Sequence, residues 1–135
     1  MPAGYSGTLL ARKLGYRPGT RAYIAGAPAD YRQWLDPLPE GVSFAKSRKP
    51  PIDLAHFFVA ERKSLAEALP ALMQAVAPAG AIWVSWPKKA SKKKTDITEG
   101  VIREVALPLG LVDVKVCAVD ETWSGLKLVI RKELR

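Results

Sequence analysis

The sequence has one cysteine, Cys117, and one histidine, His56. A lone cysteine excludes an intrachain disulfide and any zinc or iron–sulfur site built from cysteines of one chain. A lone histidine among scattered acids gives no metal-ligand spacing, so no metal is expected. Long hydrophobic runs are missing too. No stretch approaches the ~18–20 apolar residues that span a bilayer. The opening residues, Met1 to Gly7, show no basic segment followed by an apolar one, so a secretory leader is not expected and a cytoplasmic location is. The glycine-rich signatures of nucleotide sites are absent. There is no Gly-x-Gly-x-x-Gly for a dinucleotide, no Gly-x-x-x-x-Gly-Lys-Ser/Thr for a triphosphate and no Gly-x-Ser-x-Gly elbow for a hydrolase. Acids are scarce as well: 13 against 21 lysines and arginines, a formal charge of +8. That imbalance favours anionic partners and says nothing of fold.

The remaining pattern is ordered. At 135 residues with 48% hydrophobic composition, the chain reads as one globular domain over residues 1–135. Ser6 or Thr8 can cap a short helix that Gly15 ends. Arg17 to Thr20 is a turn, and Arg21 to Gly26 a strand. Pro28 opens a helix through Tyr31, Trp34 and Leu35 that Pro37 and Pro39 stop. Val42 to Ala45 is a weak strand, and Lys46 to Pro51 a basic connection. Asp53 to Val59 is nearly continuous apolar, as in a strand covered on both faces. Ser64 and Glu67 fit a capping box, and Leu65, Leu69, Leu72, Met73 and Val76 give a helix to about Ala77. Pro70 should kink or split it. Ala81 to Trp86 is the next strand, followed by an exposed loop from Lys88 to Lys94. Asp96 and Glu99 make a second capping box before a helix carrying Ile97, Val101, Ile102 and Val105. Val112 to Ala118 and Leu126 to Ile130 alternate with period two and form an antiparallel hairpin turning at Asp120 and Glu121. Lys127, Arg131 and Lys132 would guard the last strand as an exposed edge. Strand–helix alternation of this kind specifies an α/β fold of three layers, with a mostly parallel Rossmann-like sheet of about six strands closed by the hairpin.

Particular stretches resemble known families. Leu69 to Trp86 resembles the helix, turn and strand late in class I methyltransferase domains, Asp53 to Val59 the strand before them, and Val112 to Arg131 their closing antiparallel strands. The strings GYSGTLLARKLG, WVSWPKKAS and VCAVDETWSGLKLVIRK resemble a family of small bacterial proteins known only as a domain of unknown function. The first resemblance implies a methyltransferase-like fold; the second carries no activity. Against the methyltransferase pattern, Ile24 to Pro28 has one glycine, Gly26, where the family has Gly-x-Gly. It also has no acid, and Pro28 removes a donor. Phe44-Ala45-Lys46 stands where a second acid binds ribose. No cofactor is therefore expected, and a divergent S-adenosylmethionine-dependent methyltransferase is the alternative to a non-catalytic or regulatory binding module.

Ligands of open parallel sheets sit beyond the carboxyl ends of the strands. That rule selects Gly26, Ser85, Trp86, Lys88 and Lys89. If the strand at Val112 runs the same way, it adds Asp120, Glu121, Thr122 and Trp123. Two tryptophans and a few polar groups there would suit a small anionic ligand or a protein partner. The plainer alternative is surface pairing of the lysines with Asp120 and Glu121. Lys92, Lys93, Lys94 and Thr95 approach a helix start that attracts anions, or form a merely solvated loop. Through them nucleic acid is a further alternative. His56 and Cys117 lie mid-strand and read as satisfied core residues, and Trp34, Phe57, Phe58 and Trp83 as packing. No catalytic residue is expected.

Overall fold

A computed structural model describes residues 9–135. The capping role expected of Ser6 or Thr8 lies outside the described residues. The chain forms one six-stranded sheet in the order β2-β1-β3-β4-β6-β5. β1 (Arg21–Ala25), β2 (Ser43–Phe44), β3 (Ile52–Phe58) and β4 (Val76–Pro87) are parallel. β6 (Trp123–Ile130) is antiparallel to both β4 and β5 (Leu111–Ala118). The α/β architecture and its closing hairpin are those read from the sequence.

Two apolar layers sandwich this sheet. On one face, Leu65, Leu69 and Leu72 of α3 (Arg62–Ala75) and Ile102 and Ala106 of α4 (Glu99–Ala106) pack on Ile82, Val84, Trp86, Leu126 and Leu128. On the other, Leu10 and Leu14 of α1 (Leu10–Leu14) and Tyr31 of α2 (Tyr31–Trp34) pack on Leu54, Phe58 and Trp83. Alternate residues of β4 therefore serve opposite cores, which is why Ala81 to Trp86 reads as an unbroken apolar run.

Several expectations are corrected. Pro70 does not split α3, because Pro70 and Ala66, whose carbonyl loses its partner, both lie on the exposed side. That helix stops at Ala75; Val76 turns extended (ψ 135°) and begins β4, so its burial is that of a strand residue. Ser64 lies inside the first turn. The α3 cap comes from a distance: Asp96 accepts the Arg62 amide at 2.7 Å. The second capping box likewise fails, since α4 starts at Glu99 and Thr98 is its cap, accepting from the Val101 amide at 3.2 Å. The last strand is no edge. β6 lies between β4 and β5, and β5 is the edge instead. A register shift between Asp113 and Lys115 changes the phase of β5, so Val114 and Val116, expected inside, are 54% and 52% exposed while Cys117 is buried.

Candidate functional site

The strand order reverses between β1 and β3, and their carboxyl ends mark the crevice where such sheets bind ligands. Gly26 follows β1 there with φ +74°. A Cβ on it would stand 2.6 Å from the Phe58 carbonyl oxygen. The glycine is thus required for β1 to lie this close to the end of β3. Gly26→Ala should cost about 2–4 kcal/mol of stability by combining a backbone clash with a left-handed alanine. Urea denaturation checks it, and an unchanged midpoint would show that the contact relaxes freely.

Beside it a hollow of about 210 Å³ is lined by Ile24, Ala27, Pro28, Tyr31, Arg32 and Phe44. It has no carboxylate, and the Arg32 guanidinium lies 4.2 Å above the Phe44 ring. S-adenosylmethionine carries a sulfonium cation and two ribose hydroxyls. A hollow smaller than the ~300–1,000 Å³ of ordinary ligand sites, with a cation and no acid, does not fit it in the standard pose.

The predicted rim residues do share one end of the sheet, because β5 ends level with β4. Trp123 pairs in register with Pro87, and the Lys88 amide donates to the Thr122 carbonyl at 2.7 Å. Their side chains do not converge. Trp86 is buried in the α3–α4 core, whereas Trp123 faces the opposite layer, its ring edge-on to Phe58 at 5.1 Å. Neighbouring parity on paired strands decides this: Trp86 pairs with Ser124, one residue out of phase with Trp123. Asp120 Oδ1 accepts the amides of Thr122 and Trp123 at 2.9 and 2.8 Å, so its carboxylate builds the turn. Lys89 and Glu121 are exposed, and Lys88 and Thr122 half-buried. Lys92 to Lys94 are exposed, and Lys92 sits in a left-handed conformation. Thr95 donates to the Ala60 carbonyl and accepts the Ile97 amide, so its hydroxyl is committed to the loop.

Ser85 is fully buried, not on the rim. Its Oγ lies 2.7 Å from His56 Nε2, His56 Nδ1 lies 2.8 Å from the Tyr31 hydroxyl, and Tyr31 lies 2.8 Å from the Tyr16 hydroxyl. Burial pushes the imidazole down to about 3 and the Tyr16 phenol up to about 12. Tyr31 rises well above its ordinary value, chiefly through burial and then through Tyr16. His56 is accordingly neutral at pH 7, donating through one nitrogen and accepting through the other. Every buried side-chain polar atom among the described residues has a partner. With Ser85 and His56 both sealed off from solvent, this Ser–His contact orders the core. The sequence-level reading of His56 as a satisfied core residue holds. Its partners Tyr16 and Tyr31 were missed, since both come from helix-side segments that nothing in the sequence spacing relates to β3. Ser85 gave a signal: a hydroxyl in a doubly covered strand needs a buried partner.

Among the described residues no group of three or more histidine, cysteine or acidic side chains can hold a metal, and no helix is long and apolar enough to cross a membrane. Burial raises the Cys117 thiol above its ordinary value, opposite to what a reactive cysteine needs.

Solved structures of similar fold include methyltransferases. They include the DhpI–SAH complex (TM-score 0.63, 14% identity, 92% of this chain and 83% of that one). A putative methyltransferase from Thermoplasma acidophilum gives 0.58, 10%, 96% and 76%. A SAM-dependent methyltransferase from Aquifex aeolicus gives 0.57, 12%, 90% and 88%. At such identities the likeness is one of fold. The chain itself belongs to the family described as "Protein of unknown function (DUF3052)", whose profile matches residues 53–132. No curated protein matches the sequence.

Proposed function

We propose that this chain is a non-catalytic, Rossmann-like binding module for an anionic partner. One observation carries the reading. At the point where the strand order reverses, Gly26 packs on the Phe58 carbonyl and the adjoining hollow offers Arg32 and no carboxylate. A hollow at this point that offers a cation and no acid suits an anion, and the net charge of +8 favours one too. His56 and Ser85 are buried out of reach of a substrate, which supports a binding role over a catalytic one. The fold shared with proteins named for SAM and SAH supports a second reading, a divergent methyltransferase. Calorimetric titration with S-adenosylmethionine separates the two. The expected result is no saturable heat at millimolar ligand; micromolar binding would replace the first reading by the second.

A further inference from the structure

At the β5 edge of the sheet, β5 and β6 bring two like charges face to face. Lys115 and Lys127 are direct cross-strand partners. Such a pair opposes folding. It is worse here because Lys127 is half-buried, and Arg17 shares two hollows with it. Burial, and then Lys115 and Arg17, hold the Lys127 ammonium below its ordinary value. The Lys115 ammonium donates to the Lys13 carbonyl at the end of α1, at 3.2 Å. Among the described residues no ion pair involves Arg12, Arg17, Lys115 or Lys127. The larger hollow there measures about 680 Å³ and takes in all four cations, with no carboxylate in its lining. A second one, of about 390 Å³, adjoins it through Arg12, Lys13 and Lys115 and reaches Ala118, again without an acid. The two make one cationic track along the edge of the sheet.

We infer that this track binds the phosphodiester backbone of a single-stranded nucleic acid. The inference rests on the anion-binding reading above and assigns it a place and a ligand class. A chain of regularly repeated single charges matches cations spread along a line, and arginine and lysine side chains are the usual partners of phosphate oxygens. The cations line a hollow, into which a flexible single strand bends more readily than a stiff duplex. Among the described residues the only aromatic lining the track, Tyr16, is buried with its hydroxyl held by Tyr31 and offers no face for stacking bases. Binding is therefore backbone-directed and indifferent to sequence. An anion across Lys115 and Lys127 removes the repulsion that the free fold carries.

The test is fluorescence anisotropy with a labelled oligothymidylate of about twenty nucleotides, a length covering a typical single-strand site. With three phosphates contacted, affinity should fall about twentyfold between about 50 and 200 mM salt. Lys115→Gln with Lys127→Gln should weaken binding about tenfold or more and flatten the salt dependence. The same double variant should melt at the same temperature or higher, because repulsion is relieved. Lys115→Arg with Lys127→Arg should keep binding. The triple variant Lys92→Gln, Lys93→Gln, Lys94→Gln should bind within about twofold of wild type, as for lysines outside the contact. Absence of binding at low salt overturns the inference. So does loss confined to the loop variant, or a melting temperature that falls in the double glutamine variant. Labelled polyglutamate is the control for the broader reading. If it binds and the oligonucleotide does not, the nucleic-acid assignment fails while the anion-binding module stands. If neither binds and S-adenosylmethionine does, both fail.

Discussion

Replacing Trp83 by alanine should cost about 3–5 kcal/mol, a large share of the ~5–15 kcal/mol that holds a domain of this size together. Trp83 is completely buried at the centre of β4, on the face covered by α1. Its indole N–H donates to the Leu14 carbonyl at 2.7 Å. Leu14 is the last residue of α1, so that carbonyl has no partner within the helix. One side chain thus fills the core and ties a five-residue helix, too short to persist alone, to the sheet. Trp83→Phe separates the two roles. It keeps most of the ring and strands the carbonyl, at an expected cost of about 1–3 kcal/mol. Urea denaturation of both variants, read by far-ultraviolet circular dichroism, gives the numbers. A phenylalanine variant as stable as wild type would mean that water replaces the indole at Leu14.

The second large effect is acid sensitivity centred on His56. Its folded value lies near 3 and its unfolded value near 6.5. Above pH 6.5 the imidazole is neutral in both states and the full stability is present. Between 6.5 and 3 the unfolded chain takes up a proton that the folded core refuses, so stability falls as pH falls, by about 1.4 kcal/mol per unit from this group. The loss is complete near pH 3, where the folded form protonates too. Denaturation midpoints taken from pH 8 to pH 4 should show this slope. His56→Leu should remove it while lowering stability at pH 7, because the Tyr31 and Ser85 hydroxyls lose their partner. A wild-type midpoint that stays level down to pH 4 would contradict the burial of a neutral imidazole.

The parts of the fold legible in the sequence were those set by local periodicity. Leu65, Leu69 and Leu72 sit on one helical face, and β3 and β4 are apolar because helices cover both sides. Gly15 and Gly110 end their helical segments with positive φ, as isolated glycines at such places do. What escaped was non-local. Asp96 looks like the cap of the helix that follows it, yet the residue it serves is Arg62, on another element. Trp86 and Trp123 share a rim, but whether they share a face depends on a register between β4 and β6 that no single segment encodes. The Lys115–Lys127 apposition has the same origin. Each lysine alone looks like an ordinary solvated charge, and only hairpin pairing sets one against the other.

The placement of β6 between β4 and β5 also bears on how the chain comes into being. Synthesis delivers β4 long before β6, and the flank of β4 that β6 will occupy waits unpaired throughout. The waiting strand carries Ala-Ile-Trp-Val-Ser-Trp at positions 81–86, a run without charge or proline and rich in β-forming side chains. Until residues 123–130 emerge, this is an open template for pairing with any other extended chain. The lysines at 88, 89 and 92–94 follow at once on the ribosome's next few codons. They place a cluster of positive charge beside that segment during the interval when it has no neighbour, the arrangement by which charges discourage strand-to-strand pairing.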